Sequence, residues 1–118
     1  MVGEESQDPG GDGVIPTWRR QAAYLKEVQK LKLSTRELVQ MTAVMTRYAE
    51  GRAMRGDHGY LRDDVEELRV SGDRQSFRIY FGRVEGGLVL LCLHFTSKKK
   101  QRDDEAIDLA AQRLKKYR

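Results

Sequence analysis

Polar and apolar residues alternate through residues 67–81, ELRVSGDRQSFRIYF, in two runs. Leu68 and Val70 alternate with Glu67, Arg69 and Ser71, and Phe77, Ile79 and Phe81 alternate with Ser76, Arg78 and Tyr80. A period of two predicts half-buried strands over 65–71 and 76–82, joined by the polar turn GDRQ. A third strand is expected over 88–95, where LVLLCLHF is apolar on both faces, as in a strand covered on both sides. The link RVEGG has the glycines of a hairpin loop, so the three strands should form an antiparallel meander.

Helical spacing governs the rest. Trp18, Ala22, Leu25 and Val28 predict a helix from Thr17 to about Leu33. Ser34 with Glu37 is a capping box that opens a second helix, with Leu38, Met41, Met45, Tyr48 and Arg52 facing inward until the glycines of GRAMRGDHGY stop it. A short link between the two implies an antiparallel helical hairpin. A last helix runs from DDE to RLKKYR, its acids and bases matched to the helix dipole, with Ile107, Ala110, Ala111, Leu114 and Tyr117 buried. The expected fold is α+β: an N-terminal helical hairpin, a three- to four-stranded antiparallel sheet and a C-terminal helix.

Length and composition add limits. The 118 residues suit one domain, expected over 17–118, after an acidic, Gly-rich leader over 1–16 expected to be a disordered tail. No apolar run reaches membrane-spanning length, and the first residues lack the basic and apolar regions of a secretory signal. One cysteine, Cys92, lies inside the apolar third strand and reads as a small buried hydrophobe in a reducing, cytoplasmic setting. The formal charge is +4, but the leader holds four carboxylates and no lysine or arginine, so the remainder stands at +8. A basic body suits a polyanionic partner such as nucleic acid.

Much chemistry is excluded. The two histidines are far apart in sequence and one cysteine cannot make a zinc motif. There is no phosphate loop, dinucleotide fingerprint or nucleophile elbow. Glu66 and Glu67 diverge on a strand and form no carboxylate dyad. No cofactor is expected, and catalysis would rest on basic and aromatic groups. Arg69, Arg78 and Tyr80 share the polar face of neighbouring strands, and Lys98, Lys99 and Lys100 leave the end of the third. His94 precedes them and, by strict alternation, points with Cys92 and Leu90, opposite Phe95. Arginine forks phosphate and lysine adds a mobile point charge. An anion bridging Arg69 and Arg78 would relieve their repulsion; pairing of Arg69 with Glu67 or a helix carboxylate is the simpler alternative.

Over about residues 60–118 the chain resembles the RelE/HigB superfamily of bacterial toxins, in particular its phage-derived HigB-like branch. The resemblance is carried by ELRV, by the aromatic and arginine of SFRIYF, by an apolar strand ending in FTSKKKQ, and by the helix EAIDLAAQRLKKY. It implies a compact α+β toxin of a type II toxin-antitoxin pair that cuts mRNA in the ribosomal A site. The ribose 2′-OH would attack the adjacent phosphate, without metal, and a helix-turn-helix HigA-like or a RelB-like antitoxin would restrain the toxin. By the same resemblance Arg78 takes transition-state phosphate charge, and Arg69 holds phosphate or favours 2′-OH deprotonation. Lys98 and Lys99 fall where the family has its basic cluster after the last strand and would position the RNA backbone or neutralise the leaving oxygen; Lys100 and Arg102 are further candidates for RNA or phosphate binding. Arg102 and Asp103 stand where the branch often has Thr-Pro, and the last helix lacks the initial tyrosine of other members. Glu67 stands where some members have lysine. The acid and base then fall to Tyr80 and His94. Two alternatives remain: a catalytically silent relative that binds RNA or the ribosome, and a protein-interaction module whose basic face receives an acidic partner.

Overall fold

The structure is a computed structural model, described over residues 14–98 and 102–118. Residues 1–13 of the expected leader lie outside the described residues, as do Lys99 and Lys100. The element order is β1 (Thr17–Arg20), α1 (Ala22–Lys30), α2 (Thr35–Ala49), β2 (His58–Tyr60), β3 (Glu66–Ser71), β4 (Ser76–Val84), β5 (Val89–Ser97) and α3 (Asp104–Tyr117), with a 3-10 turn, Glu85–Gly87, between β4 and β5.

The five strands form one mixed sheet in the order β1-β5-β4-β3-β2. The meander is present, with Arg69 directly opposite Arg78 and Leu68 opposite Ile79. The expected N-terminal hairpin on an all-antiparallel sheet is not. Residues 17–20 leave the helical pattern and pair in parallel with β5, Trp18 opposite Leu90 and Arg20 opposite Cys92. Their backbone joins the free edge of an otherwise buried strand, Thr17 N donating to Leu88 O at 3.0 Å. That pairing outweighs helical spacing, because an unpaired buried edge is costly and Thr-Trp suits a strand. The helix starts only at Ala22. It lies along β5 while α2 lies on β3, so each helix packs on the sheet rather than along the other.

Helices cover both faces. On one, Tyr24 of α1 and Met41, Val44, Met45 and Tyr48 of α2 close over Leu68, Val70, Phe77, Ile79, Phe81, Leu90, Cys92 and Phe95. Cys92 is a buried free thiol. On the other, Ala106, Ile107, Ala110 and Leu114 of α3 close over Val84, Leu91 and Leu93. Each fully buried large side chain contributes about 1.5–3 kcal/mol, so the two cores fix α3 against the same sheet that α2 covers from behind. Gly82 permits the close approach of α3, since a Cβ there would meet Leu114 at 2.8 Å. The capping box at Ser34 and Glu37 forms as expected. Leu38 and Arg52, expected inward, face solvent, as does Tyr117. Among the described residues no helix is long and apolar enough to cross a membrane.

Candidate functional site

Two rows of side chains cross the sheet on the α3 side. Arg69, Arg78 and Thr96 are paired in one row, and Glu67, Tyr80 and His94 in the next. The core of that face ends where α3 begins, and beyond it Arg69, Arg78, Glu67 and Tyr80 of these rows floor a cavity of about 200 Å³. Its walls are Leu61, Glu67, Arg69, Arg78, Tyr80, Ser97, Lys98, Arg102, Asp103 and Ile107. Asp103 caps α3, accepting from Ala106 N at 3.1 Å, which turns the chain so that Arg102 stands at the rim. Four cations and two carboxylates leave the lining at a net charge of +2.

Glu67 sits between the two arginines. Its Oε2 lies 2.9 Å from Arg69 Nη2 and its Oε1 3.4 Å from Arg78 Nε. The carboxylate therefore offsets the repulsion expected of facing guanidinium groups, as the simpler sequence alternative had it for Arg69. Arg78 is only 9% exposed and also donates from Nη1 to Phe77 O at 3.3 Å. Burial pulls its pKa down and Glu67 pushes it back up, while Arg69 lowers it further. It remains a cation at any working pH, since guanidinium does not lose its proton in proteins. Burial pushes the Tyr80 phenol up to about 12, and the charges of Glu67 and Asp103 push the same way. At neutral pH Tyr80 is thus a proton donor.

Arg69 is held from the edge of the sheet. Its Nη1 donates to Gly56 O and His58 O, both at 3.1 Å. The guanidinium lies across Gly59, where a Cβ would stand 2.6 Å from Arg69 Nη2 and 3.4 Å from Glu67 Oε2. Gly59→Ala is expected to keep the fold, because the group displaced is the end of a flexible side chain, and to dislodge Arg69 from Glu67. Any phosphate-dependent activity should fall about tenfold or more, as misplaced contact groups do. A crystal structure of the variant with Arg69 unmoved would refute this.

Of the residues singled out from sequence, Arg69, Arg78, Tyr80, Lys98 and Arg102 line one cavity. His94 does not, and its orientation differs from expectation. Strict alternation fails because β5 carries a bulge: Tyr80 faces His94, but the next residue, Phe81, faces Cys92, leaving Leu93 as the extra residue. Cys92, Leu90 and Phe95 consequently share the α1 side, whereas the His94 ring stacks behind Tyr80 at 5.8 Å. Its Nδ1 is 3.0 Å from Glu27 Oε1, but not in hydrogen-bonding geometry. Glu27 in turn accepts from Phe95 N and Arg113.

Glu67, expected from sequence only as a possible partner of Arg69, and Asp103 also line the cavity. Alternation on β3 does put Glu67 on the face of Arg69, and that signal was available. Asp103 carried none, since its place depends on how α3 docks. Among the described residues no group of three or more His, Cys, Asp or Glu side chains converges as a metal site would require.

Against known proteins, no curated protein matches this chain. The family described as Phage derived protein Gp49-like (DUF891) matches residues 21–115. That span runs from the residue before α1 almost to the end of α3 and takes in every element lining the cavity. The chain belongs to the phage-derived Gp49-like family.

Proposed function

We propose that this protein is a toxin of a type II toxin-antitoxin pair, of the RelE/HigB superfamily, that cuts mRNA in the ribosomal A site. The observation that carries the reading is the guanidinium pair Arg69 and Arg78, bridged by Glu67 beside the protonated phenol of Tyr80, in a cavity with Lys98 and Arg102 on its wall. Such a site matches a phosphodiester whose charge grows during reaction. The 2′-oxygen attacks phosphorus, its proton passes to Glu67, and the bond from phosphorus to the 5′-oxygen breaks. Tyr80 gives its proton to that oxygen. The products are a 2′,3′-cyclic phosphate and a 5′-hydroxyl, and Tyr80 regains a proton from Glu67 through solvent. Arg78 and Arg69 hold the charge on the equatorial oxygens, and Lys98 and Arg102 hold neighbouring phosphates. An antitoxin of the helix-turn-helix HigA-like or RelB-like kind would restrain the activity, in the cytoplasm where ribosomes are.

A second reading, binding of RNA or the ribosome without cutting, is favoured by one observation: Glu67 already fills the place between the arginines that a phosphate would take. The deciding experiment is mRNA cleavage on programmed ribosomes, with primer extension to locate any cut. Cutting within the A-site codon that requires the ribosome supports the toxin reading. Intact mRNA with a folded, antitoxin-free protein that still binds ribosomes supports the second.

A further inference from the structure

A second polar cluster lies on the opposite face of the sheet, under the last turn of α2. Glu66 is buried there, accepting from Tyr48 Oη at 2.9 Å and Arg83 Nε at 2.8 Å, with His58 Nε2 also at 2.8 Å. Arg83 also donates to the Tyr48 hydroxyl. The His58 ring stacks on Tyr48 with centroids 4.6 Å apart, and Tyr60 meets it edge-on at 4.6 Å. One residue earlier on each segment there is a second clamp: Arg47 forks the Asp57 carboxylate at 3.0–3.2 Å, and Met54 N donates to it at 2.8 Å. Consecutive residues of α2, Arg47 and Tyr48, thus grip consecutive residues of the edge, Asp57 and His58.

What they grip is the backbone that holds Arg69. Gly56 O and His58 O accept from its guanidinium, and Asp57 O accepts from its backbone N–H at 2.8 Å. β2 pairs with β3 over only three residues, so besides that ladder and the bonds from Arg69 the segment is held by these side-chain clamps. We propose that His58 is a positioning residue: through Glu66 and Tyr48 it fixes the start of strand β2 and the residues just before it, whose carbonyls set the guanidinium of Arg69 in the cavity on the other side of the sheet. The inference rests on the reading above only in giving Arg69 a phosphate to hold; the mechanical coupling is a separate matter.

The test uses the full chain and two readouts. The first is hydrogen exchange of the Arg69 guanidinium N–H resonances by NMR, which needs no substrate. The second is single-turnover cleavage on programmed ribosomes. In His58→Ala the Arg69 N–H groups should exchange at least tenfold faster, and the single-turnover cleavage rate at saturating ribosome should fall about 10- to 100-fold, with the half-saturating ribosome concentration little changed. His58→Gln keeps an N–H donor toward Glu66 and should restore both. Arg47→Gln, which loosens Asp57 and leaves the Glu66 cluster whole, should reproduce the faster exchange and serves if His58→Ala does not fold. Unchanged Arg69 exchange in a folded variant overturns the coupling, whether or not the wild type cuts RNA. Faster exchange in a protein that cuts no mRNA upholds the coupling and counts against the toxin reading alone.

Discussion

Arg78→Lys is expected to lower cleavage by about a hundred- to a thousand-fold, the usual loss when one preorganised donor to a transition-state anion is removed, with little change in thermal stability. The arginine stands in the floor of the cavity, its Nε toward Glu67 and its Nη1 on the Phe77 carbonyl. Its remaining N–H bonds supply the planar fork that meets two oxygens of one phosphate. Lysine fits its stem into the same channel and keeps the charge, but offers a point where the site needs a plane. The substitution therefore separates geometry from charge. Alanine would be a poorer choice. Arg78 is buried, so its removal leaves a void and a half-paired Glu67, at a cost of about 1–3 kcal/mol, and lost activity could then be lost fold. Single-turnover cleavage beside a melting curve checks the prediction. A folded Arg78→Lys protein that cuts at the wild-type rate would show that a point charge at this position suffices and that the planar fork carries no part of the catalysis.

The rows that place Arg78 were readable in advance where the pattern is local. A two-residue period over β3 and β4 fixes which side chains share a face, and a four-residue turn fixes which lie opposite, so Arg69, Arg78 and Tyr80 came out together. Long-range choices left no such trace. Whether residues 17–20 become the first turn of a helix or a parallel strand depends on the free edge of β5, some seventy residues away in sequence. β2 is too short to show a period. The bulge at Leu93 adds one residue to an apolar run that looks uniform, and so it reversed the face given to His94. The docking of α3 over the arginine face, which turns an exposed patch into a cavity, follows from an apolar stripe on the helix but not from its sequence position.

Glu66→Ala should be the most destabilising single change at the back of the site, by about 3–5 kcal/mol, because it strands Arg83, His58 and the Tyr48 hydroxyl in a buried setting. For a domain of this size that is a fall in Tm on the order of 10–20 °C. The same cluster makes stability depend on pH. Burial alone would raise the pKa of Glu66, but hydrogen bonds from His58, Arg83 and Tyr48 and the charge of Arg83 outweigh it and hold the carboxyl below its ordinary value. A carboxylate with a depressed folded pKa contributes stability that is fully present above its unfolded value, about 4.3, and is lost as pH falls through the folded value. Wild-type stability should thus drop as pH falls below about 5. Glu66→Gln cannot ionise; it starts lower, since its amide presents an N–H to Arg83, and loses less over the same range. Urea unfolding at several pH values between 7 and 3 measures both slopes. Parallel slopes would mean that Glu66 titrates alike in the folded and unfolded chain, and that its three donors hold β2 in place without favouring its charge.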